Sequence, residues 1–112
     1  MDCVFCKIAN GEIPSKKVYE DDKVLAFCDL QPQAPVHILI IPKEHISSAA
    51  DITPENSAIV AHIYEVAAKL AKANHLDDGF RIVCNVGKEG GQSVMHLHFH
   101  LLGGRSMKWP PG

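Results

Sequence analysis

Residues 96–102 of this chain read His-Leu-His-Phe-His-Leu-Leu, and this alternation of histidine with apolar residues decides how the rest is interpreted. Successive side chains of a β-strand point to opposite faces, so a strand would carry all three imidazoles on one face, about 6.8 Å apart. A helix would instead turn His98 away from the other two. Glycines on both sides limit the segment to strand length, and the pattern therefore predicts a strand over 96–102.

The remaining sequence predicts one long helix, one short helix and about four further strands. Thr53 is a suitable cap, Pro54 suits the first helical turn, and apolar residues follow at helical spacing, which predicts a long helix over 54–74. A shorter helix is expected over 3–10, and glycines indicate a loop over 87–93. Runs rich in β-branched and aromatic residues predict the other strands, at 18–20, 24–28, 37–41 and 80–86. One long helix among about five strands is typical of an α+β fold with a largely antiparallel sheet.

Length, charge and hydropathy exclude several classes of protein. A chain of 112 residues has the size of one domain, so residues 1–112 are expected to form a single domain. The net charge of −2 offers no basic surface for a nucleic-acid backbone. The longest apolar stretch, residues 38–42, is too short to cross a bilayer, and the first ten residues lack the pattern of a signal peptide. We therefore expect a cytoplasmic protein that binds neither nucleic acid nor membrane, with reduced cysteines.

A face of three imidazoles has three interpretations. The histidines can simply pack or face water, or they can hold a catalytic metal ion, because neutral imidazole is a good zinc ligand. Alternatively, one of them attacks a phosphorus atom. Free imidazole has a pKa of about 6.5, so its nucleophilic form dominates at neutral pH without a separate activating base. Neighbouring imidazoles on the same face would carry a proton to the leaving group and neutralise the phosphate oxygens.

The loop before this strand favours chemistry at phosphorus. It contains Gly91, Gln92, Ser93 and Val94, which offer backbone N–H groups with little steric cover, and one hydroxyl, as donors to a phosphate. Glu89 is the only acidic residue nearby, so no magnesium site is expected. Imidazoles and N–H groups would therefore stabilise the developing charge, and neither a catalytic metal nor an organic cofactor is expected.

Cys3 and Cys6 have the Cys-x-x-Cys spacing of half a zinc site. The same spacing occurs in redox-active pairs that begin a helix, although no strand precedes Cys3 as it would in a thioredoxin-like unit. Both interpretations remain open from the residues alone. Cys28 and Cys84 are expected inside strands as small buried side chains, and His62 belongs to no motif.

Several segments together resemble the histidine triad (HIT) superfamily. The alternating segment at 96–102 is the motif that names this superfamily, and the likeness extends along the chain. Residues 90–94 and the tail 103–112, with its Trp-Pro-Pro-Gly ending, resemble the Hint branch, whereas members of the Fhit branch share the triad but lack that ending. The other matching segments are Cys-Val-Phe-Cys-Lys-Ile at 3–8, Glu-Ile-Pro at 12–14, Phe-Cys-Asp at 27–29, Pro-Gln-Ala-Pro-Val-His at 32–37 and Ile-Pro-Lys-Glu-His-Ile at 41–46.

The resemblance implies a HIT-like fold, a homodimer with joined sheets, and hydrolysis of adenosine or guanosine monophosphoramidates, such as AMP joined to an amine. It implies that His98 is the nucleophile that becomes nucleotidylated. His100 and His37 would bind the phosphate and transfer protons, and Ser93 would lie near the leaving group. Two alternatives remain: cleavage of dinucleoside polyphosphates, as in the Fhit branch, and nucleotide binding without catalysis.

The resemblance also implies a nucleotide pocket. Phe5, Ile13 and Phe27 would form apolar walls around the base, although from the residues alone both phenylalanines would be core. Asp29 would accept both ribose hydroxyls, whereas an aspartate directly after a strand is more often a turn residue. Trp109 must dock somewhere, and the resemblance implies that its tail lies by the partner subunit's site. The further implied pocket residues are Asn85, Gly91, Gln92, Ser93, Val94, His98 and His100.

A metal site is implied by the same resemblance. Bacterial-type members of the superfamily hold a structural zinc ion with both cysteines, the histidine of the Pro-Lys-x-His segment and the first triad histidine. The corresponding ligands here would be Cys3, Cys6, His45 and His96. Because a ligand imidazole cannot also be a free proton carrier, His96 is expected to bind zinc and not to take part in catalysis.

Overall fold

The computed structural model describes residues 3–112 and contains one antiparallel sheet of five strands. The strands are β1 (Lys17–Glu20), β2 (Val24–Cys28), β3 (Val36–Pro42), β4 (Phe80–Val83) and β5 (Phe99–Gly103). The helices are α1 (Val4–Ala9), α2 (Ala58–Ala73) and α3 (Gly87–Gly90), and a 3₁₀ turn covers Ala49–Asp51. The order of strands across the sheet is β1-β2-β3-β5-β4. The predicted α+β fold with about five antiparallel strands is thereby confirmed.

The sheet has an apolar cluster on each face, which explains the nearly continuous apolar runs of β2 and β3. Side chains of β3 alternate, so Ile38 and Ile40 pack beneath α2 while Leu39 and Ile41 pack beneath α1. The apolar stripe of α2 contributes residues at helical spacing to the first cluster, namely Ile63, Val66, Ala67 and Leu70. In the described part of the chain, none of the helices is long and apolar enough to cross a bilayer.

The long helix begins later than predicted, at Ala58 and not at residue 54. Asn56 closes a separate turn before it, because its side-chain oxygen accepts the N–H of Thr53 at 2.7 Å. The carbonyl of Thr53 accepts the N–H groups of Asn56 and Ser57 at 3.1 and 2.9 Å. These bonds keep residues 53–57 in a turn of their own, so the predicted cap belongs to this turn and not to the helix.

Two predictions around β4 were also too simple. β4 ends at Val83 and not at residue 86, so Cys84 lies beyond the strand, half-buried. The glycine-rich segment is not a plain loop, because residues Gly87–Gly90 form the short helix α3. Gly91 ends this helix with a φ of 81°, a conformation that glycine adopts without steric cost.

The last strand is shorter than predicted. β5 begins at Phe99 because its ladder with β3 ends at the pair of Ile40 and Phe99. Further along β3 stands Pro42, which has no N–H to donate to the ladder. Leu97 donates its N–H to the carbonyl of Ile46 instead, at 2.6 Å. The three imidazoles are therefore not displayed along one regular strand.

The alternation of faces nevertheless continues through the irregular residues. Leu97 and Phe99 pack in the cluster beneath α2. His96 and His98 contact the ring of Phe5, which belongs to the cluster on the opposite face. The sequence pattern thus predicted the sidedness of the segment correctly, although hydrogen-bonded strand geometry covers only part of it.

A hydrogen-bonded ion pair joins the β1–β2 turn to α2. His62 contacts a carboxylate oxygen of Asp21 at 2.6 Å, and the hydroxyl of Tyr19 donates to the same oxygen at 2.8 Å. The hydrogen bond to Asp21 raises the pKa of His62 above its ordinary value, against a smaller lowering by burial. Burial alone would raise the pKa of Asp21, but the N–H of Val24 and the imidazole of His62 together hold it below its ordinary value.

We expect His62→Gln to lower the melting temperature most at acidic pH. A folded-state pKa above the unfolded one means that the contribution is fully present below the unfolded value, about 6.5, and disappears as pH rises through the folded value. The pair is partly exposed, so its contribution is at most about 1 kcal/mol. Thermal unfolding of the wild type and the variant at pH 5.5 and pH 9 measures this difference. His75→Asn, which removes an exposed histidine just after α2, is the control for the loss of a histidine outside this pair. A His62→Gln effect that grows with pH would contradict this account.

Candidate active site and metal site

The three histidines of the 96–102 segment serve two neighbouring sites. His96 faces the thiols of α1 and its cap, whereas His98 and His100 line a cavity between α1 and the sheet. The rings of His98 and His100 lie with their centroids 5.1 Å apart. Of the three, only His100 lies in the hydrogen-bonded ladder of β5.

A single hydrogen bond determines the tautomer of His98. Its Nδ1 lies 2.7 Å from the backbone carbonyl of His96, and a carbonyl oxygen can only accept, so Nδ1 carries the proton. In the neutral ring the lone pair is then on Nε2. The ring is buried and its position is further limited by the edge-on contact with Phe5, at 5.1 Å between centroids. The geometry thus directs Nδ1 to the backbone and leaves Nε2, the lone-pair nitrogen of the neutral ring, for the cavity.

The imidazoles of His37 and His100 form a hydrogen-bonded pair that is also oriented by the backbone. The N–H of Gln33 donates to Nδ1 of His37 at 3.0 Å, so a neutral His37 carries its proton on Nε2. That Nε2 lies 2.8 Å from Nδ1 of His100 and donates to it. A neutral His100 therefore carries its own proton on Nε2, where it is a hydrogen-bond donor. No residue type predicts this arrangement, because Gln33 acts only through its backbone.

Both rings of this pair are held neutral. Burial lowers the pKa of His37, against an opposing effect of the Asp29 carboxylate 3.4 Å away. Burial, followed by the neighbouring imidazoles of His98 and His37, lowers the pKa of His100 to about 4. At neutral pH the pair therefore offers polarised N–H groups and not full positive charges.

The cavity has a volume of about 390 Å³ and is lined by apolar side chains with a few polar groups. Its polar lining residues include Asp29, just beyond β2, whose carboxylate also accepts the N–H of Gln31 at 2.7 Å. The turn role and the cavity position of Asp29 therefore coexist. The predicted site residues that line the cavity are Phe5, Ile13, Phe27, Asp29, Ser93, His98 and His100.

The other predicted site residues lie outside this lining. His37 stands behind His100, Val94 packs against the apolar cluster beneath α1, and Trp109 is 82% exposed. Asn85 is half-buried in the segment after β4, and Gly91 follows α3.

Gln92 uses its whole amide to hold the glycine-rich segment. Its nitrogen donates to the carbonyls of Ser47 and Val94, at 2.8 and 2.9 Å, and its oxygen accepts the N–H of Gly87 at 2.9 Å. The side chain of Gln92 thus positions the segment that carries Ser93.

Three polar residues of the cavity lining were missed by the sequence analysis, namely Ser15, Lys16 and Gln31. Ser15 lines the cavity, and its hydroxyl oxygen is buried without a hydrogen-bond partner among the described residues. A buried hydroxyl without a partner is costly, and a ligand with a polar group would satisfy it. The only sequence signal was a serine after Ile-Pro, which is indistinguishable from an ordinary turn residue.

The four predicted metal ligands come together at the amino end of α1. Nδ1 of His96 lies 3.3 Å from the sulfur of Cys3 and 3.5 Å from that of Cys6. Nδ1 of His45 lies 3.3 Å from the sulfur of Cys6 and 3.2 Å from Nδ1 of His96. All four donor atoms lie within 4.8 Å of one another.

These distances fit a tetrahedral metal ion. Zinc bonds of about 2.3 Å to sulfur and about 2.0 Å to nitrogen place neighbouring donor atoms roughly 3.3–3.8 Å apart. His96 is also supported from behind, since its Nε2 donates to the carbonyl of Pro42 at 2.8 Å and so leaves Nδ1 free to bind a metal. The sulfur of Cys3 accepts the N–H of Cys6 at 3.3 Å. The donor set, two thiols and two imidazoles, is one that zinc prefers.

Asp29, His37 and His100 form a second cluster of potential ligand atoms. The 2.8 Å between Nε2 of His37 and Nδ1 of His100 is a hydrogen-bond distance, shorter than the separation of two nitrogen ligands on a tetrahedral ion, about 3.3 Å. We therefore interpret His37 and His100 as a hydrogen-bonded pair, with the Asp29 carboxylate 3.4 Å from His37.

The chain belongs to the HIT domain family, which matches residues 10–107. It is similar to a 14 kDa zinc-binding protein of Zea mays, with 52% identity over 97% of this chain and 87% of that protein. Among solved structures it resembles a HIT family hydrolase from Legionella pneumophila, with 54% identity, a TM-score of 0.97, and coverage of 99% of this chain and 100% of that one. It also resembles a histidine triad nucleotide-binding protein from Candida albicans, with 38% identity, a TM-score of 0.83, and coverage of 97% and 83%. The family assignment made from the sequence is confirmed, and these similarities are consistent with the Hint-type branch.

We expect one tightly bound metal ion per chain when the protein is purified without a histidine tag or chelator. Elemental analysis by plasma mass spectrometry measures the ratio. The double variant Cys3→Ser/Cys6→Ser should lose the ion, because a hydroxyl is a poor substitute for a thiolate ligand. Cys84→Ser, which removes a thiol outside the cluster, should retain it. If the wild-type protein contains no metal, the metal-site interpretation is wrong, and both cysteines of the cluster are packing residues.

Proposed function

We propose that this protein is a nucleoside monophosphoramidate hydrolase that uses His98 as its nucleophile. The observation that carries the proposal is the hydrogen bond from Nδ1 of His98 to the carbonyl of His96, which leaves Nε2 with a lone pair at the cavity. Imidazole is a competent nucleophile at neutral pH, so the reaction needs no further activating base. The names of the Legionella and Candida structures, a hydrolase and a nucleotide-binding protein, agree with this proposal.

The reaction proceeds in two displacements. Nε2 of His98 forms a bond to phosphorus while the P–N bond to the amine breaks, and the leaving nitrogen takes up a proton. Water then attacks phosphorus and gives up a proton, which replaces the one taken up by the amine, the bond to Nε2 breaks, and the nucleoside monophosphate leaves with the neutral imidazole restored. The sum is phosphoramidate plus water giving nucleotide plus amine. His100 donates from Nε2 to a phosphate oxygen, His37 supports it, and the hydroxyl of Ser93 lies near the leaving group.

The nucleoside part occupies the apolar portion of the cavity. The rings of Phe5 and Phe27, 5.6 Å apart at 76°, with Ile13, provide walls for a purine base. Asp29 accepts the ribose hydroxyls with the carboxylate oxygen that is not engaged by Gln31. Gly91, Gln92, Val94 and Asn85 support this site from the segment around α3.

The metal ion that we propose for the cluster at α1 is zinc, with Cys3, Cys6, His45 and His96 as ligands. The donor set and the name of the maize relative support this identity. Cys3 and Cys6 would hold the ion together with His45 and His96, so a bound zinc would cross-link α1 to the segments after β3 and before β5. With four protein ligands it would have no open position for a water molecule. No step of the hydrolysis uses it.

The subunit arrangement that we propose is a homodimer whose sheets join. β4 is an edge strand with one unpaired side, and Phe80 on it is exposed, as is Tyr64 on α2. Exposed edges and large apolar side chains favour pairing with a second copy. The tail with Trp109, 82% exposed in the single chain, would then lie by the partner's site.

His98→Asn should abolish formation of the covalent intermediate. Wild-type protein mixed with an AMP-amide without added magnesium should gain the mass of one AMP by intact mass spectrometry after rapid acid-free quenching. The variant should not gain it, and its kcat/KM should fall at least about a thousandfold. Circular dichroism verifies that the variant is folded. Wild-type turnover retained in His98→Asn would refute the nucleophile, and AMP binding without any turnover in the wild type would favour a binding protein.

Asp29→Ala should discriminate between ribose and deoxyribose substrates. Loss of a charged acceptor for the hydroxyls should lower kcat/KM for the adenosine phosphoramidate about tenfold or more, and less for its 2′-deoxy analogue, which has one hydroxyl fewer to lose. The lost turn bond to Gln31 affects both substrates equally, so the ratio isolates the sugar contact. Equal losses for the two substrates would assign Asp29 to the turn alone.

A further inference from the structure

The helix α1 carries a wall of the cavity and is attached to the rest of the chain in an unusual way. It has only six residues, and in the sequence Phe5 stands between Cys3 and Cys6, the two cysteines of the metal site. Among the described residues, the hydrogen bonds that α1 and Cys3 make beyond residue 13 are all between thiols and imidazoles. The metal site is therefore the main polar attachment of α1, added to the apolar packing of its inner face.

The ring of Phe5 contacts both sites at once. It is buried and meets His96 of the metal cluster at 6.0 Å and His98 at 5.1 Å between ring centroids, edge-on in both cases. It also meets Phe27, which lines the same cavity, edge-on at 5.6 Å between ring centroids. Because interiors are closely packed, a displacement of α1 must move this ring relative to the cavity.

His96 also touches both sites, but it is held in place by a hydrogen bond that does not need the metal. Its Nδ1 faces the thiols, its Nε2 donates to Pro42, and its backbone carbonyl accepts the ring Nδ1–H of His98. The residue that belongs to the metal cluster thus also holds the ring that lines the cavity. Because the bond to Pro42 lies outside the cluster, His96 keeps its place and its bond to His98 without the ion, whereas α1 does not have such a bond within residues 3–112.

We propose that metal occupancy sets the nucleotide affinity of the cavity, with Phe5 as the positioning residue that couples the two sites. Without the ion, α1 keeps only weak thiol–imidazole contacts and its packing, and the wall formed by Phe5 moves away from the base. Binding linkage is reciprocal, so a nucleotide must tighten metal binding by the same factor. This inference rests on the proposed nucleotide site.

The test measures AMP affinity by calorimetry in Zn²⁺-loaded wild-type protein and in the same protein after removal of the metal by a chelator. We expect AMP to bind about tenfold more weakly without the metal. Competition with a chromophoric chelator measures the Zn²⁺ dissociation constant, which saturating AMP should lower by the same factor. An AMP affinity that does not change on removal of the metal overturns the inference.

Two variants distinguish coupling through Phe5 from a general loss of structure. Phe5→Ala should weaken AMP binding in the loaded protein and reduce the effect of the metal to less than about twofold. Asp29→Ala should weaken AMP binding as well but retain the tenfold effect, because Asp29 follows β2 and is not part of α1 or of the metal cluster. The same tenfold effect in Phe5→Ala would overturn the inference.

If circular dichroism shows that the metal-free protein is unfolded, its AMP affinity cannot be compared with that of the loaded protein, and a second measurement replaces it. The effect of saturating AMP on the Zn²⁺ dissociation constant is then compared between the wild type and Phe5→Ala. If AMP acts only through global unfolding, it will lower the Zn²⁺ dissociation constant equally in Phe5→Ala, and the inference is overturned. If the effect of AMP on the Zn²⁺ dissociation constant is lost in Phe5→Ala, the inference is supported. Failure of the proposed function has a different signature, because loaded wild-type protein would then bind no AMP.

Discussion

Buried imidazoles impose the constraint on which this structure depends, because each ring nitrogen taken out of water needs a partner. The partners are mostly backbone groups: the carbonyl of Pro42 for His96, the carbonyl of His96 for His98, and the N–H of Gln33 for His37. Each partner accepts or donates, and in doing so it selects one tautomer. The positions of the lone pairs, and with them the chemistry available at the cavity, follow from the course of the main chain around the sheet.

The same constraint explains the electrostatics of the site. In the described part of the chain, Asp29 is the only carboxylate in contact with the cavity histidines, and it lies 3.4 Å from His37, too far to offset the effect of burial. The imidazole pair therefore remains uncharged at neutral pH, while apolar side chains from α1 and β2 line the neighbouring part of the cavity. A neutral donor pair beside an apolar cavity suits a ligand that brings its own negative charge.

Much of this architecture could be predicted from the sequence. The alternation at 96–102 predicted which side chains share a face, and the apolar periodicity located α2 and four strands to within a few residues. The family resemblance assigned Cys3, Cys6, His45 and His96 to one metal site, and their donor atoms do lie together. Two of the errors occurred where one residue interrupts a regular pattern: Pro42, which lacks an N–H for the ladder with β5, and Asn56, whose side chain closes a separate turn before α2.

Other features had no counterpart in residue types. Gln33 orients His37 through its backbone N–H, which every residue except proline possesses, so its identity carries no signal. Ser15 lacks a partner among the described residues only because of how the chain folds over the cavity. The amide of Gln92 satisfies three backbone groups, and the sequence suggested a phosphate contact for that residue because a glycine-rich segment surrounds it.

His96, the first histidine of the triad, makes contacts through three atoms: Nδ1, Nε2 and its backbone carbonyl oxygen. These contacts limit which residues can replace it. Asparagine and glutamine present their nitrogen and oxygen on one amide group, and cysteine presents a single atom. Among the genetically encoded side chains, only imidazole has two nitrogens on opposite edges of a flat ring, so only histidine can face the thiols and the Pro42 carbonyl together. Selection for nucleotide chemistry would therefore retain a histidine at position 96, although this side chain lies outside the cavity lining.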